Sequence, residues 1–348
     1  MHLSLPDYIE ITQNSKQYIA NYLGENSYSK VFVLYDENSK KYCFPILGNS
    51  IVNAIKIEIK SGEENKTLET CSFIWQAFTE ANADRNALLI NLGGGVIGDM
   101  GGFCASTYKR GIDFINIPTT LLSQVDASIG GKLGIDFNGF KNHIGLFNLP
   151  KKVIIDPVFL QTLAPNQIRS GFAEMLKHGF IKDSIHLIEL SKIDLENCNW
   201  LPYIKKSIRV KNEIVVSDPY EKIERKLLNF GHTIGHAVES YFINNNAPIL
   251  HGEAVALGII TEAYLSSKYL KLEGDEQKKI IEIIDSFFDR IKIPKGGINE
   301  ILANLDQDKK NTNSVIQSVL LTKIGQPKHS IEISKEDVLE ALNNYGFK

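Results

Sequence analysis

The sequence predicts an α/β domain with a parallel sheet over residues 1–164, followed by an all-α domain over residues 165–348. Three observations predict this division. Short β-branched runs alternate with amphipathic stretches through the first half, the pattern of a parallel sheet covered by helices on both faces. One of these runs leads directly into a glycine cluster, Gly93-Gly94-Gly95-Val96-Ile97-Gly98-Asp99. From about Leu163 onward, apolar residues recur at helical spacing and little reads as strand.

Taken in order, Val31-Phe32-Val33-Leu34-Tyr35 reads as a buried strand that ends at Asp36. Residues 55–59 alternate as a strand, 66–81 have helical spacing, and 87–92 form an apolar strand before the glycines. Residues 113–118 and 153–156 are further strands. In the second half a helix start at Ala164-Pro165-Asn166-Gln167 precedes helical stretches over 168–181, 185–190, 203–216, 227–242, 253–270 and 275–291. Only residues 314–321 read as strand there. The boundary falls near residue 164.

Bulk properties narrow the function. The 348 residues suit about two domains. Hydrophobic content of 43% and charged content of 23% are ordinary for a globular protein. A net charge of −3, from 38 basic and 41 acidic residues, offers no general attraction to nucleic acid or anionic membrane. Cys43, Cys71, Cys104 and Cys198 form no C-x-x-C pair, so they read as scattered thiols in a reducing compartment. No apolar h-region opens the chain, and no run approaches the roughly 20 residues that cross a bilayer. A cytoplasmic enzyme is expected.

Three features carry chemistry. Gly93, Gly95 and Gly98 follow a strand and precede a helix, a context in which backbone amides and a helix N-terminus meet a pyrophosphate. The turn comes late for a Rossmann fingerprint, and the best ribose-binding acid is Asp36, on the earliest strand. The bland alternative is a tight turn without ligand. Second, Gly130-Gly131-Lys132-Leu133-Gly134, then Lys141-Asn142-His143, sets glycines beside lysines and suits a phosphate ester, or else forms a solvated loop. Asp126 lies just before it, where it could orient a lysine. Third, Glu174 and His178, and His232 and His236, are i, i+4 pairs, and His251 and Glu253 follow. Spacing alone leaves open which of them bind a metal, which carry protons and which are structural hydrogen-bonding groups.

Together these segments resemble the 3-dehydroquinate synthase family of the sugar-phosphate cyclases, from Asp36 to about Lys310. The specific blocks are residues 93–99, 108–134, 172–177, 228–239 and 251–258. The resemblance implies a zinc site of Glu174, His232 and His251, with cobalt an acceptable substitute and His236 a nearby acid/base or phosphate contact. It implies NAD against Asp36, Asn38, Glu63 and Lys66, the turn residues Gly94, Gly95, Val96 and Asp99, and Thr119, Thr120, Phe159 and Thr162. It implies substrate contacts from Asp126, Lys132, Lys141 and Asn142, and from Lys177, Lys211, Arg225, Asn229 and Lys310, with adjacent Lys309 a rival for the last. Arg110 corresponds to the arginine that reaches a neighbouring subunit's phosphate site, so a homodimer is implied. Two departures stand out: Leu133 where the family often has Thr, and Met100-Gly101-Gly102 where Leu-Thr-Gly or Leu-Ala-Gly is commoner. Altered packing, not lost chemistry, is expected from both.

The implied substrate is a seven-carbon keto acid phosphate, 3-deoxy-D-arabino-heptulosonate 7-phosphate. The implied sequence is transient oxidation by NAD, phosphate elimination, re-reduction, ring opening and aldol closure to 3-dehydroquinate, within aromatic amino acid biosynthesis. Lys132, Lys141 and Arg110 would stabilise the departing phosphate, and Arg225 would grip the carboxylate bidentately. Three rivals are a cyclase acting on sedoheptulose 7-phosphate, a metal-dependent polyol dehydrogenase and a non-catalytic metal-binding protein. The cationic cluster argues against the dehydrogenase, and Arg225 against the substrate without a carboxylate.

Overall fold

The computed structural model describes residues 5–138, 140–306 and 315–346. The chain divides into two compact units, residues 1–164 and 165–348.

The first unit is a six-stranded parallel sheet. Its strands are β1 (Ile9–Ile11), β2 (Val31–Asp36), β3 (Ile55–Ile59), β4 (Leu88–Gly93), β5 (Asp113–Pro118) and β8 (Lys152–Ile155), in the order β1-β8-β5-β4-β2-β3. Helices α1 (Ser15–Glu25), α2 (Glu37–Tyr42), α3 (Phe44–Leu47), α4 (Leu68–Glu80) and α5 (Gly95–Thr107) connect them. Because successive strand side chains point to opposite faces, β2 feeds two cores. Phe32 and Leu34 pack with Ile74, Phe78 and Met100, while Val33 and Tyr35 pack with Ile19, Leu47 and Ile117. The antiparallel pair β6 (Lys132–Phe137) and β7 (Phe140–Phe147) lies outside the main sheet, and this hairpin and β1 are absent from the sequence reading.

The second unit comprises α6 (Pro165–Ile181), α7 (Ser184–Leu190), α8 (Trp200–Ser217), α9 (His232–Asn244), α10 (His251–Leu270), α11 (Gly274–Asp285), α12 (Ile298–Asp306) and α13 (Lys335–Tyr345). It is helical but not all-α. β9 (Ile316–Lys323) and β10 (Gln326–Ile333) form an antiparallel hairpin, of which the sequence suggested one strand. The stretch expected as one helix over 227–242 is a 3-10 turn, Glu224–Asn229, then α9. Gly231 separates them at φ +81°, in the left-handed region where a residue with a Cβ is strained.

Candidate active-site residues in two units

In the first unit the glycine turn ends β4 and starts α5. A Cβ at Gly93 would lie 2.7 Å from Ile97 Cβ, and one at Gly94 3.1 Å from Thr120 Cγ2. The amide of Thr119 donates to the Gly93 carbonyl at 3.0 Å, which holds the turn against the end of β5. Gly94 offers no side chain to cap α5, and the first helical turn contains no acidic residue. The helix therefore presents its first amides and positive end, the arrangement that receives an anion.

Lys66 is the anchor beside this turn. It is buried, and its Nζ lies 2.8 Å from Asp99 Oδ2 on α5 and 2.6 Å from Asn142 Oδ1 on β7. Burial alone would lower its pKa, but the Asp99 and Glu63 carboxylates reverse the shift and keep the ammonium charged. Lys141 Nζ stands 3.7 Å from Glu63. The Asn142 amide donates to Asp136 Oδ1 at 2.7 Å. The residues implied as separate cofactor and substrate contacts, Glu63, Lys66 and Asp99 with Lys141 and Asn142, thus form one ionic network.

The remaining expected positions of this unit are scattered. Asp36 Oδ1 accepts from the Ser39 amide at 2.7 Å, so one carboxylate oxygen caps α2. Asn38 and Thr162 are exposed, Phe159 is buried in the core, and Val96 packs at its margin. Thr120 Oγ1 meets Ser123 Oγ at 2.8 Å. Asp126 is half-buried in the turn after β5, and Lys132 is exposed at the start of β6. Arg110 is exposed on a turn in which Lys109 and Arg110 both have positive φ, 49° and 68°. Lys109 Nζ donates to Ala83 O at 2.6 Å and Arg85 Nε to Lys109 O at 3.0 Å, which hold this strained turn in place.

The two departures are complementary packing. A Cβ at Gly101 would lie 2.7 Å from Asn91 Cγ and 2.9 Å from Leu34 Cδ2. Asn91 is buried and donates to Asn116 Oδ1 at 2.9 Å. A Cβ at Gly102 would lie 3.1 Å from both Leu133 Cδ1 and Phe114 Cε2. Leu133 and Asn91 occupy the room that the two glycines leave on α5.

In the second unit three helices converge on one cluster. Glu174, on α6, is fully buried. Its Oε1 lies 3.4 Å from His232 Nε2 at the start of α9 and 3.5 Å from His251 Nε2 at the start of α10. Close backbone approach makes this convergence possible. A Cβ at Gly252 would lie 2.6 Å from the Ser170 carbonyl carbon, and the Gly252 amide donates to Ser170 Oγ at 3.0 Å, so the start of α10 is pressed onto α6. His236 joins the cluster, with its ring centroid 5.0 Å from that of His232 and 5.7 Å from that of His251. Donor atoms of the three imidazoles lie within 4.8 Å of one another. His178 is buried one turn beyond Glu174, with a ring nitrogen within 4.8 Å of a Glu174 oxygen. Glu253 Oε2 accepts from the Leu250 amide at 2.8 Å and so caps α10.

The donor set fits a divalent ion. Two donors bonded to zinc at about 2.0–2.1 Å with a tetrahedral angle stand about 3.3 Å apart. Lys177 Nζ pairs with Glu174 Oε2, while the buried Oε1 faces the His232 and His251 nitrogens at 3.4 and 3.5 Å, the placement of a carboxylate oxygen that shares a ligand position with two imidazoles. Burial alone would favour the neutral acid, but the Lys177 ammonium and the His232 imidazole hold the carboxyl well below its usual range. Burial, reinforced by Lys177, lowers His232, which favours the neutral imidazole that coordinates metal. Its Nδ1 lies 3.1 Å from Phe230 O, and an Nδ1–H donated there leaves Nε2 its lone pair. His251 Nδ1 lies 3.4 Å from Glu239 Oε2. Burial opposes charge on His251, but Glu239 and Glu174 outweigh it and raise the imidazole to about 10 in the protein alone.

Lys211 is buried on α8. Arg225 is buried, with Nη1 donating to Pro219 O at 2.6 Å, and Asn229 Nδ2 donates to Glu221 Oε1 at 2.7 Å. Lys309 and Lys310 lie outside the described residues. Glu239 was missed as a site residue, although it falls seven residues after His232 and so on the same helix face.

The whole chain has the fold of the sugar-phosphate cyclases. It is similar to the crystal structure of 2-deoxy-scyllo-inosose synthase complexed with carbaglucose-6-phosphate, NAD+ and Co2+, with a TM-score of 0.85 and 21% identity over 97% of this chain and 96% of that one. It is also similar to 2-epi-5-epi-valiolone synthase from Streptomyces hygroscopicus, solved with NAD+ and Zn2+, with a TM-score of 0.83 and 23% identity over 99% and 98%. The 3-dehydroquinate synthase N-terminal model matches residues 56–170 and the C-terminal model residues 171–311. The 3-dehydroquinate synthase of Parabacteroides distasonis is 40% identical over 342 residues, 97% of each chain. The chain belongs to the 3-dehydroquinate synthase family, and neither the polyol dehydrogenase nor the sedoheptulose cyclase is favoured.

Proposed function

We propose that the chain converts 3-deoxy-D-arabino-heptulosonate 7-phosphate to 3-dehydroquinate and phosphate, as a phosphorus–oxygen lyase serving chorismate and aromatic amino acid biosynthesis. The observation that carries this reading is the 40% identity to a 3-dehydroquinate synthase over 97% of both chains. NAD is assigned to the first unit, at the glycine turn and Asp36, and a zinc ion to Glu174, His232 and His251 in the second. When bound, NAD supplies reversible hydride acceptance and the ion supplies Lewis-acid polarisation of substrate hydroxyls.

The chain's own residues do the rest. The uncapped amides of α5 receive the pyrophosphate of the dinucleotide. Lys66 fixes the distance between α5 and the hairpin that carries Lys141 and Asn142. Lys132, Lys141 and Arg110 neutralise the charge of the departing phosphate. Arg225 grips the substrate carboxylate, and Lys177, Lys211 and Asn229 orient the hydroxyls. Asp126 positions a cation of the phosphate pocket. His236 is assigned proton transfer beside the metal ligands. Lys310 is assigned a further substrate contact. A cytoplasmic homodimer in which Arg110 serves the neighbouring subunit completes the reading.

The test is phosphate release with NAD far below the amount of substrate turned over, with and without a chelator. Many turnovers per NAD, abolished by chelator and restored by zinc, are expected. NADH accumulating with simple polyols, and no phosphate release, would overturn the assignment.

A further inference from the structure

α9 and α10 carry the three clustered histidines, and a carboxylate outside that cluster joins the two helices. Glu262 lies on α10, eleven residues beyond His251, which is three turns along nearly the same face. It is fully buried. Its Oε2 accepts from the Gly231 amide at 2.6 Å, and its Oε1 accepts from the amides of Thr233 at 3.1 Å and Ile234 at 3.4 Å. These are amides at the start of α9, which a helix cannot satisfy internally, and they flank His232 on both sides. The negative group also sits at the positive end of the helix. Gly231 offers no side chain of its own for this purpose.

The helices meet backbone to backbone around this carboxylate. A Cβ at Gly231 would lie 2.7 Å from Ile259 Cγ1 and 3.0 Å from Val255 O, and one at Gly235 2.8 Å from Ala254 O. Support runs in both directions. Glu239 on α9 faces His251 of α10 at 3.4 Å, while Glu262 on α10 holds the turn of α9 that bears His232. Each helix thus brings an imidazole and a carboxylate that fixes the other helix's imidazole.

We propose that Glu262 is a positioning residue of the metal site: its carboxylate sets the start and rotation of α9, so that His232 Nε2 is presented to the ion together with Glu174 and His251. The inference rests on the metal assignment made above. Supporting groups around a metal site commonly alter affinity about 10- to 100-fold when changed. In Glu262→Gln one acceptor becomes an NH2 donor facing amide donors, so α9 loses part of its tether while side-chain volume is kept.

The experiment compares wild type, Glu262→Gln, Glu262→Asp and Ser334→Ala, whose lost Oγ caps α13 through the Asp337 amide. Zinc affinity is read by chelator competition, ligand geometry by the absorption spectrum of the cobalt-loaded protein, and fold stability by the melting of metal-free protein. Glu262→Gln is expected to weaken zinc binding about 10- to 100-fold and to shift the cobalt spectrum, with Glu262→Asp intermediate. Ser334→Ala is expected to lower the melting temperature without changing either metal readout. Unchanged affinity and spectrum in a merely less stable Glu262→Gln would overturn the positioning role. His232→Ala and His251→Ala separate the two levels. If both keep wild-type zinc affinity, the metal assignment itself fails. If both lose zinc while Glu262→Gln binds normally, only the role of Glu262 fails.

Discussion

His236 and His251 stand ring to ring in one cluster, yet their assigned roles differ, and single substitutions separate them. His251→Ala is expected to purify without zinc and without activity. His236→Ala is expected to retain zinc and turn over slowly. Metal analysis of the two proteins decides it, and a metal-free His236→Ala beside a zinc-loaded His251→Ala would reverse the assignment. A different histidine contributes to the loss of stability in acid. His186 is fully buried, its Nε2 lies 3.0 Å from Ser207 Oγ, and Asp183, His178, Lys206 and Glu189 surround it. Burial lowers it to about 4 from the usual 6.5. A depressed imidazole means that the unfolded chain takes up the proton first, so its stabilising effect is complete above about pH 6.5 and is lost as pH falls toward 4. The loss should reach roughly 2 kcal/mol at pH 5. Urea midpoints at pH 7.5 and 5 should therefore differ less in His186→Gln than in wild type, and an equal difference would refute the attribution. Glu174 with His178 and His232 with His236 were legible as candidates because i, i+4 spacing is visible along one helix, whereas His251 has no such partner and the ligand set came from the family resemblance. The sequence hid the role of Glu262, because spacing along α10 aligns it with His251 but does not show that its carboxylate receives the amides of α9.

At the level of elements, α5 is fitted to its neighbours through missing side chains. Gly101→Ala is expected to destabilise the protein by about 1–3 kcal/mol, because its methyl meets Asn91 and Leu34 in a filled interior. Asn91→Ala in the same chain should recover part of that loss, and denaturant midpoints of the singles and the double measure the coupling. Additive effects would show that the two sites do not compete for space. Five of the six parallel strands were legible because they are short apolar runs bounded by turns, whereas β1, only three residues long, is too short to show a pattern. β10 was not, because Pro327 and a register shift between Lys328 and Ile331 break its alternation, and Ser330 there has φ +57°. The β6–β7 hairpin was read as a glycine-lysine loop, since its glycines conceal a strand pattern. α9 was read as starting too early because apolar periodicity runs through Leu227, Leu228 and Phe230, whereas backbone geometry breaks at Gly231.

For the whole molecule the question is whether a site borrows from its neighbour. Arg110→Ala and His251→Ala should each be nearly inactive alone. If Arg110 serves the adjoining subunit, a mixture allowed to exchange subunits contains heterodimers in which one site has every group. Equal amounts should recover roughly a quarter of wild-type activity, since half the dimers are mixed and each has one intact site of two. No recovery, with subunit exchange verified by sedimentation of tagged protein, would place Arg110 at its own subunit's site.

The fit between Gly101 and Asn91 also makes substitution history directional. A path that gains Gly101 before Asn91 avoids the clash between the two, whereas the reverse order passes through it. With Asn91 in place and bonded to Asn116, the return step at 101 carries the clash until position 91 shrinks. The two residues thus bias the order of substitution: the steric cost falls on one route between the same two end points and not on the other.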